Sequence, residues 1–290
     1  MKPSSFGYHR TSSVSTACRL LAELGEDAKI LAGGQSLVAM MAFRLARPSD
    51  LLDIGGVTEL DYLDVGPTEL RIGALTTHHR VEQARDMLIE NGFGVIARTM
   101  PYIGHLPIRT RGTVGGSLAH ADATAEWCLL AELLDAQIVV TSVRGERVID
   151  AHEFFFGFFA TALAEDELIT ELRFARPAPN AAVAEFANRH GDFAVVAAGV
   201  DLDVDPAAGV RAGRVALAGT QPVPATIAAA GEVLADCGEL TPHVVDACVE
   251  AVVAELDLTD QADPEYVRGV ARTQIRSALW SAAPEEVRSR

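Results

Sequence analysis

The sequence predicts a mixed α+β protein with a larger N-terminal region and a smaller C-terminal α+β domain. Three observations predict it. Helical and strand patterns alternate along the chain, Gly-Gly turns join strand-like to helix-like segments, and the composition changes at a proline-rich stretch over 173–180. The 290 residues are enough for two or three packed units, and 49% of them are hydrophobic. We therefore expect a main body at 1–176 and a second unit at 177–290.

Apolar periodicity and turn signals place the elements in order. Over 13–24 the apolar residues recur at helical spacing, and Gly25 is a typical helix stop. Short apolar runs between Gly and Pro residues predict strands. The predicted helices are 13–24, 37–45, 81–90, 95–100, 123–134, 226–235, 242–256 and 266–282, and the predicted strands are 29–32, 51–54, 69–74, 137–142, 193–204 and 214–218.

Charge and composition exclude several function classes. The 24 basic and 40 acidic residues give a formal net charge of −16, so a nucleic-acid partner is not expected. The most apolar stretch, 154–164, is about half as long as the roughly 20 residues of a membrane helix, and no signal peptide is predicted. Four separated cysteines without a CxxC pair predict free thiols in the cytoplasm rather than an iron–sulfur cluster or zinc site: Cys18, Cys128, Cys237 and Cys248.

Two glycine pairs are the strongest candidates for a binding site. Gly33-Gly34 and Gly115-Gly116 each follow strand-like chain, precede helix-like chain and have a serine nearby. Glycines let successive backbone N–H groups point inward and form a nest for an anion. Two such loops suggest a diphosphate gripped from both sides, although either pair could be an ordinary turn. The dinucleotide and P-loop glycine motifs are absent, and Lys2 and Lys29 are the only lysines.

Two carboxylates follow the second glycine pair. Asp122 and Glu126 are four residues apart. Asp122 could cap the helix predicted there, or one or both side chains could accept hydrogen bonds from hydroxyl groups of a ligand.

Three further patterns favour structural interpretations. The pair His78-His79 is typical of a polar turn. The charged segment 189–192 is typical of a turn that enters a strand. The run 154–159 holds five of the 11 phenylalanines. It favours core packing, with a flavin platform or a subunit contact as the alternatives.

Several of these segments together resemble one protein family. They are LAGGQSL at 31–37, RLARP at 44–48, LDI at 52–54, IGALTT at 72–77, IRTRGTVGGSLAHAD at 108–122, RHGDFA at 189–194 and YVR at 266–268. In this order they are similar to the FAD-binding medium subunits of molybdenum hydroxylases, the family of carbon monoxide dehydrogenase, xanthine dehydrogenase and bacterial N-heterocycle hydroxylases. The similarity extends over nearly the whole chain.

The resemblance implies an FAD-binding fold of the vanillyl-alcohol-oxidase (PCMH) type, with two α/β subdomains at roughly 1–58 and 59–176 and a C-terminal domain at 177–290. It implies no catalytic or metal-binding residue in this chain. The implied FAD-binding residues are Leu31, Ala32, Gly33, Gly34, Gln35, Ser36, Leu37, Thr76, Thr77, Ile108, Thr113, Gly115, Gly116, Ser117, Asp122, Glu126, Leu168 and Phe193. The family pattern leaves open whether Asp122 or Glu126 contacts the flavin nucleotide, and many relatives carry Asp at the position of Glu126.

The function implied by the resemblance is an electron relay. A large subunit with a molybdopterin dinucleotide would oxidise the substrate, and a small subunit with two [2Fe-2S] clusters would pass electrons to FAD in this chain, in a dimer of heterotrimers. The flavin would then reduce an external acceptor. The alternatives are a standalone flavin-dependent oxidoreductase of the same fold and a flavin-free scaffold or anion-binding protein. Substrate and acceptor stay open.

Overall fold

The computed structural model describes residues 2–288. The strands of this part of the chain form sheets of three, five, four and two strands. They are β1 (Gly7–Arg10), β2 (Ala28–Leu31), β3 (Asp50–Asp53), β4 (Leu63–Val65), β5 (Leu70–Gly73), β6 (Gln137–Ser142), β7 (Gly145–Asp150), β8 (Phe155–Gly157), β9 (Ala160–Thr161), β10 (Leu168–Phe174), β11 (Ala181–Ala187), β12 (Ala194–Asp205), β13 (Gly209–Ala218) and β14 (Ala225–Thr226).

Helices cover one or both faces of these sheets. They are α1 (Val14–Leu24), α2 (Leu37–Ala42), α3 (His78–Gln83), α4 (Arg85–Glu90), α5 (Gly94–Thr99), α6 (Leu106–Arg109), α7 (Val114–His120), α8 (Glu126–Leu133), α9 (Ala151–Phe154), α10 (Ala228–Leu234), α11 (Pro242–Ala254) and α12 (Pro264–Ala282), with short 3₁₀ turns at Thr58–Leu60, Met100–Tyr102 and Glu285–Val287.

The first sheet is parallel, in the order β1-β3-β2. Helix α1 begins at the Ser13 cap, whose side chain accepts a hydrogen bond from the Thr16 N–H, and it ends at Gly25, which has φ +76°. Its buried face packs with Leu52 and Ile54 in one apolar cluster. Because the strands are parallel, their carboxyl ends meet at one edge, where open α/β sheets commonly bind ligands.

The second sheet is antiparallel, in the order β4-β5-β10-β6-β7. Helices α3, α5, α7 and α8 contribute to its core, in which Phe93, Trp127 and Phe154 are fully buried. This core fixes the ends of α7 and α8, where several candidate site residues lie.

The C-terminal sheet is antiparallel, in the order β11-β12-β13-β14, and it packs on both faces. One face forms an apolar cluster with α10, α11 and α12. The opposite face, which includes Ala181, Ala197 and Ala218, belongs to the same core as the second sheet. The N-terminal region and the C-terminal sheet therefore share one core.

The predicted helices and strands are largely confirmed, but several ends are wrong. The predicted helix 81–90 is two helices, α3 and α4, which meet at Ala84. The helix predicted over 37–45 ends at Ala42, shortly before Arg44 adopts φ +59°. The predicted linker 173–180 begins two residues too early, because Arg173 and Phe174 complete β10.

Two errors concern the candidate site directly. The segment interpreted as a second glycine turn is helix α7, with Gly115 and Gly116 in its first turn. The following helix begins at Glu126 rather than at residue 123, and Ala125 occupies its cap position. Asp122 is therefore not the cap of that helix.

No helix within residues 2–288 is long and apolar enough to span a membrane. In the same part of the chain, no cluster of three or more His, Cys, Asp and Glu side chains has the arrangement of a metal site.

Candidate functional site

The first glycine loop leaves β2 at the carboxyl edge of the parallel sheet and leads into α2. Gly34 has φ +73°, a conformation that a side chain would strain. Within residues 2–288, the backbone N–H groups of Gly33, Gly34, Gln35 and Ser36 have no hydrogen-bond acceptor. Ser36 also makes no capping bond with its hydroxyl. The loop therefore presents consecutive free donors, as an anion-binding nest requires.

The second glycine segment differs, because its N–H groups are already bonded. Val114 N–H donates to the Thr76 carbonyl at 3.0 Å, and Gly115 N–H donates to the Ala74 carbonyl at 2.9 Å. Gly116 N–H donates to Thr113 Oγ1 at 3.2 Å. A Cβ on Gly115 would lie 2.6 Å from that of Ala74, so this glycine permits close packing.

The two glycine segments are in direct contact. A Cβ on Gly33 would lie 2.2 Å from the carbonyl oxygen of Arg111 and 2.9 Å from Gly112 Cα. A Cβ on Gly116 would lie 3.8 Å from the Cβ of Ala32. The structure therefore brings the two sequence motifs together, although they are about 80 residues apart in the chain.

A cleft of about 660 Å³ opens beside the first loop. It lies at the carboxyl edge of the parallel sheet, since it is lined by the last residues of all three strands, Arg10, Leu31 and Asp53. Arg111 also lines it and has no ion-pair partner within residues 2–288. The volume, the free N–H groups and the two guanidinium groups fit an anionic dinucleotide such as FAD.

Arg10 and Arg111 are candidate site residues to which the sequence reasoning assigned no role. Arg111 was visible within the RTRG motif, but only its position in the cleft distinguishes it from an ordinary surface arginine. Arg10 ends β1, a strand that the sequence analysis did not predict. The nearest acidic group, Asp53, lies 3.8 Å from Arg10 Nε.

Thr76, Thr77 and Thr113 link the second segment to the sheet. Thr76 is fully buried and donates its hydroxyl to the Tyr62 carbonyl at 2.6 Å. Thr77 forms a β-bridge with Thr113, and each caps a helix with its side chain. Their hydroxyl groups therefore have structural partners already.

Leu168 and Ile108 lie in different surroundings. Leu168 begins β10 and is buried in the apolar cluster that partly buried Ala32 also contacts. Ile108 lies in the short helix α6 and is exposed.

Asp122 and Glu126 are both half-buried and have different surroundings. Asp122 Oδ1 accepts hydrogen bonds from the N–H and hydroxyl of Thr124, at 2.9 and 2.7 Å. Glu126 begins α8. Burial, together with the charge of Asp122, raises the pKa of Glu126 to about 7. Glu126 is therefore partly protonated near neutral pH.

Phe193 comes from the C-terminal sheet, immediately before β12, and its side chain is 70% exposed. The phenylalanine run 154–159 is divided between two environments. Phe154 and Phe155 are buried, as core packing predicts, whereas Phe156, Phe158 and Phe159 are exposed.

The interpretation of His78-His79 as a polar turn is wrong. These residues begin α3, and His78 is buried against the second segment. Its backbone N–H donates to the Gly112 carbonyl at 3.1 Å. Its ring Nδ1 accepts a hydrogen bond from Trp127 Nε1 at 2.9 Å.

Replacing Arg111 with Gln is expected to raise the FAD dissociation constant roughly tenfold, equivalent to about 1.4 kcal/mol, because a cation in the cleft is lost. The dissociation constant of the variant is also expected to depend less on salt. Flavin fluorescence titration at two ionic strengths measures both effects. Arg85→Gln, at another exposed position, is the matched control. Equal affinities for the two variants would contradict a role for Arg111 in binding.

Comparison with known proteins agrees with this geometry. Residues 4–179 match the family model described as the FAD binding domain in molybdopterin dehydrogenase. Residues 181–282 match the CO dehydrogenase flavoprotein C-terminal domain.

Curated relatives match along nearly their full length. The chain is 36% identical over 286 residues to the 6-hydroxypseudooxynicotine dehydrogenase complex subunit alpha of Paenarthrobacter nicotinovorans, covering 97% of this chain and 96% of the relative. It is 32% identical to the carbon monoxide dehydrogenase medium chain of Afipia carboxidovorans, with 97% and 98% covered.

A solved structure extends the similarity to the backbone. The chain matches carbon monoxide dehydrogenase from Hydrogenophaga pseudoflava that lacks the Mo-pyranopterin moiety of the molybdenum cofactor. The TM-score is 0.90 at 29% identity, and the match covers 98% of this chain and 100% of the other. The resemblance found in the sequence is thus confirmed. This chain belongs to the FAD-binding medium subunits of the molybdenum hydroxylases and is an oxidoreductase subunit.

Proposed function

We propose that this chain is the electron-transfer subunit of a heterotrimeric molybdenum hydroxylase and passes electrons from its FAD to an external acceptor. The partners would be a large molybdenum subunit with a molybdopterin dinucleotide and a small subunit with [2Fe-2S] clusters, in a dimer of heterotrimers. The proposal includes the vanillyl-alcohol-oxidase (PCMH) type of FAD fold. It places the FAD-binding region at 1–176, divided near residue 58, and the C-terminal domain at 177–290.

The observation that carries the proposal is the near full-length similarity to a carbon monoxide dehydrogenase medium chain, combined with a nest of free N–H groups at the first glycine loop. The printed names of the relatives describe a subunit of a complex and a medium chain, so this chain would also work beside partners. A cytoplasmic location is part of the proposal, since the four cysteines are free thiols.

The residues of the cleft would hold the diphosphate of FAD. The free N–H groups of residues 33–36 would donate to its oxygens, while Arg10 and Arg111 would balance its charge. Local donors are needed because the chain as a whole carries a net charge of −16. Bound FAD supplies the redox chemistry, and the protein supplies position and electrostatics.

The second segment would support the cofactor differently. Its glycines let the first loop approach, and the Ser117 hydroxyl is a further donor. Asp122 Oδ2, which has no hydrogen-bond partner within residues 2–288, is an acceptor for a ligand hydroxyl. Thr76, Thr77, Ile108 and Leu168 would shape the wall along the cofactor, and Phe193 would cover the flavin ring from the C-terminal domain.

The relay is tested by comparing this chain alone with the complex purified through a tag on it. In the complex, substrate is expected to bleach the flavin absorption band, and molybdenum, iron and FAD are expected in fixed proportion. In the isolated FAD-loaded chain, no substrate of the complex is expected to bleach the band. Turnover by the isolated chain would instead support a standalone flavin-dependent oxidoreductase.

A further inference from the structure

Glu185 is a half-buried acid that has no role in the site described above. It lies in β11, on the face shared with Ala181 and Val183. Both of those residues pack in the core shared with the N-terminal region, so Glu185 also faces that region. Its Oε2 atom is buried and has no hydrogen-bond partner within residues 2–288. A buried polar atom without a partner is rare and indicates a missing ligand or water.

The groups facing Glu185 provide no counter-ion. The charge of Glu126 raises the pKa of Glu185, and the charge of Glu185 in turn raises the pKa of Tyr102. Arg98, on the neighbouring helix α5, donates to the Ala181 carbonyl at 3.1 Å. Neither Glu185 nor Glu126 forms an ion pair among residues 2–288, although the structure has 18 ion-pair contacts in that range. Two half-buried acids therefore interact without a basic partner.

The remaining titratable groups surround Glu126 rather than Glu185. The charge of Asp122 raises the pKa of Glu126 and opposes the lowering of the pKa of His120 by burial. The charges of Asp122 and Glu126 both raise the pKa of the Cys128 thiol. These side chains come from α7, α8 and the turn between them, which adjoins the second glycine segment. The acid pair thus adjoins the proposed cofactor site.

The sheet around Glu185 leaves room beside the carboxyl. Its direct partner across the ladder is Ala197, whose own partner on the next strand is Ala218, and both are fully buried. At the end of this row the Gly219 N–H donates to the Ala123 carbonyl at 3.2 Å, and Thr220 Oγ1 is a second buried atom without a partner. This part of the C-terminal sheet therefore carries small residues and two buried polar atoms without a partner within residues 2–288, Glu185 Oε2 and Thr220 Oγ1.

Two carboxylates in such a site do not both ionise near neutral pH. Burial, together with the charge of Glu126, raises the pKa of Glu185 to about 8. The corresponding pKa of Glu126 is raised to about 7. Because the two titrations are coupled, the pair as a whole holds at least one proton at neutral pH.

We propose that Glu185 is a further residue of the flavin site, where its carboxyl stays protonated beside Glu126 and donates a hydrogen bond to the bound flavin. The inference rests on the flavin site proposed above. An ionised carboxylate could not donate and would repel an anionic cofactor, whereas a neutral acid satisfies both its own buried oxygen and an acceptor on the flavin. Glu185 is a positioning residue that tunes the electrostatics of the ring.

The first test is an infrared difference spectrum of the full chain before and after FAD is added. We expect the carbonyl band of a protonated carboxylic acid to shift when FAD binds. This signal should be absent in Glu185→Gln and unchanged in Glu146→Gln, an exposed acid on β7 that serves as the matched control. No turnover is required for this measurement.

The second test is the FAD dissociation constant between pH 6 and 9. For the wild type we expect it to rise above pH 8, by up to about tenfold per pH unit, as the donor proton is lost. Glu185→Gln keeps a donor at every pH and should give a flat profile. Glu126→Gln removes the neighbouring charge and should move the midpoint of the rise to lower pH, because the repulsion that retains the proton on Glu185 is gone.

Superimposable pH profiles for wild type and Glu185→Gln, or an infrared band that FAD does not move, would overturn the proposal for Glu185 alone. Failure of the wild type to bind FAD at any pH, alone or in its complex, would overturn the flavin site and this inference together.

Discussion

Replacing Gly33 with Ala is expected to raise the FAD dissociation constant at least about a hundredfold, which corresponds to about 3 kcal/mol of binding free energy. The added Cβ would lie 2.2 Å from the Arg111 carbonyl oxygen and 2.9 Å from its carbonyl carbon. Both atoms belong to the backbone, so no side-chain rotation relieves the overlap. The two glycine segments must separate, and the free N–H groups of the first loop then lose the position in which they meet the diphosphate.

The amount of flavin retained during purification and a fluorescence titration with added FAD measure this effect. Gly269→Ala is the matched control, because no atom lies within 4 Å of the added Cβ and the residue lies inside helix α12. This variant should bind FAD as the wild type does. If Gly33→Ala retained normal affinity with an unchanged melting temperature, contact between the two segments would not be required for binding.

Gly33 also illustrates how much of the site could be predicted from sequence. The glycine pairs identified both segments and suggested an anion nest, since this reasoning depends only on local backbone freedom. Sequence could not show that the two segments play different parts. The N–H groups of Val114 and Gly115 bond to carbonyls near residue 75, which lie almost 40 residues earlier in the chain. Such pairings follow from tertiary packing, which the local pattern does not contain.

Strand β11 shows why another part of the site was missed. Its sequence AAVAEFA is rich in alanine, which has low strand propensity, so no strand was predicted there. The small residues are nevertheless required, because both faces of the sheet are covered. Without the strand, nothing in the sequence indicated that Glu185 faces the N-terminal region. By contrast, the strand 137–142 was predicted with the correct ends, since its β-branched run between turns is a strong local signal.

Acidification from pH 7 to pH 4 is expected to cost about 3 kcal/mol of folding stability through His78 alone. Burial, together with the charge of Arg109, lowers the pKa of His78 to about 4. The Trp127 Nε1–H donates to His78 Nδ1 at 2.9 Å, so that nitrogen must carry no proton in the folded state. In the unfolded chain the same histidine titrates near its ordinary pKa of about 6.5.

The sign follows from proton uptake. Between pH 6.5 and pH 4 the unfolded chain binds a proton at His78 and the folded chain resists it, so stability falls as the pH is lowered through this window. Urea unfolding at pH 7, 5.5 and 4 measures the slope. In His78→Asn, whose side-chain oxygen can accept from Trp127, the slope should be shallower, although the cavity left by the ring should lower stability at pH 7. The exposed residue His243 provides the control substitution His243→Asn.

The same residue connects acid sensitivity to the cofactor site. The backbone N–H of His78 donates to the Gly112 carbonyl. The imidazole ring is also close to this segment, since a Cβ on Gly112 would lie 2.7 Å from Nε2. Protonation of this ring therefore disturbs the segment against which Gly33 packs. FAD release on acidification should begin in the same pH range as the loss of stability and should be reduced in His78→Asn. Identical pH slopes in His78→Asn and the wild type would show that other groups cause the acid sensitivity.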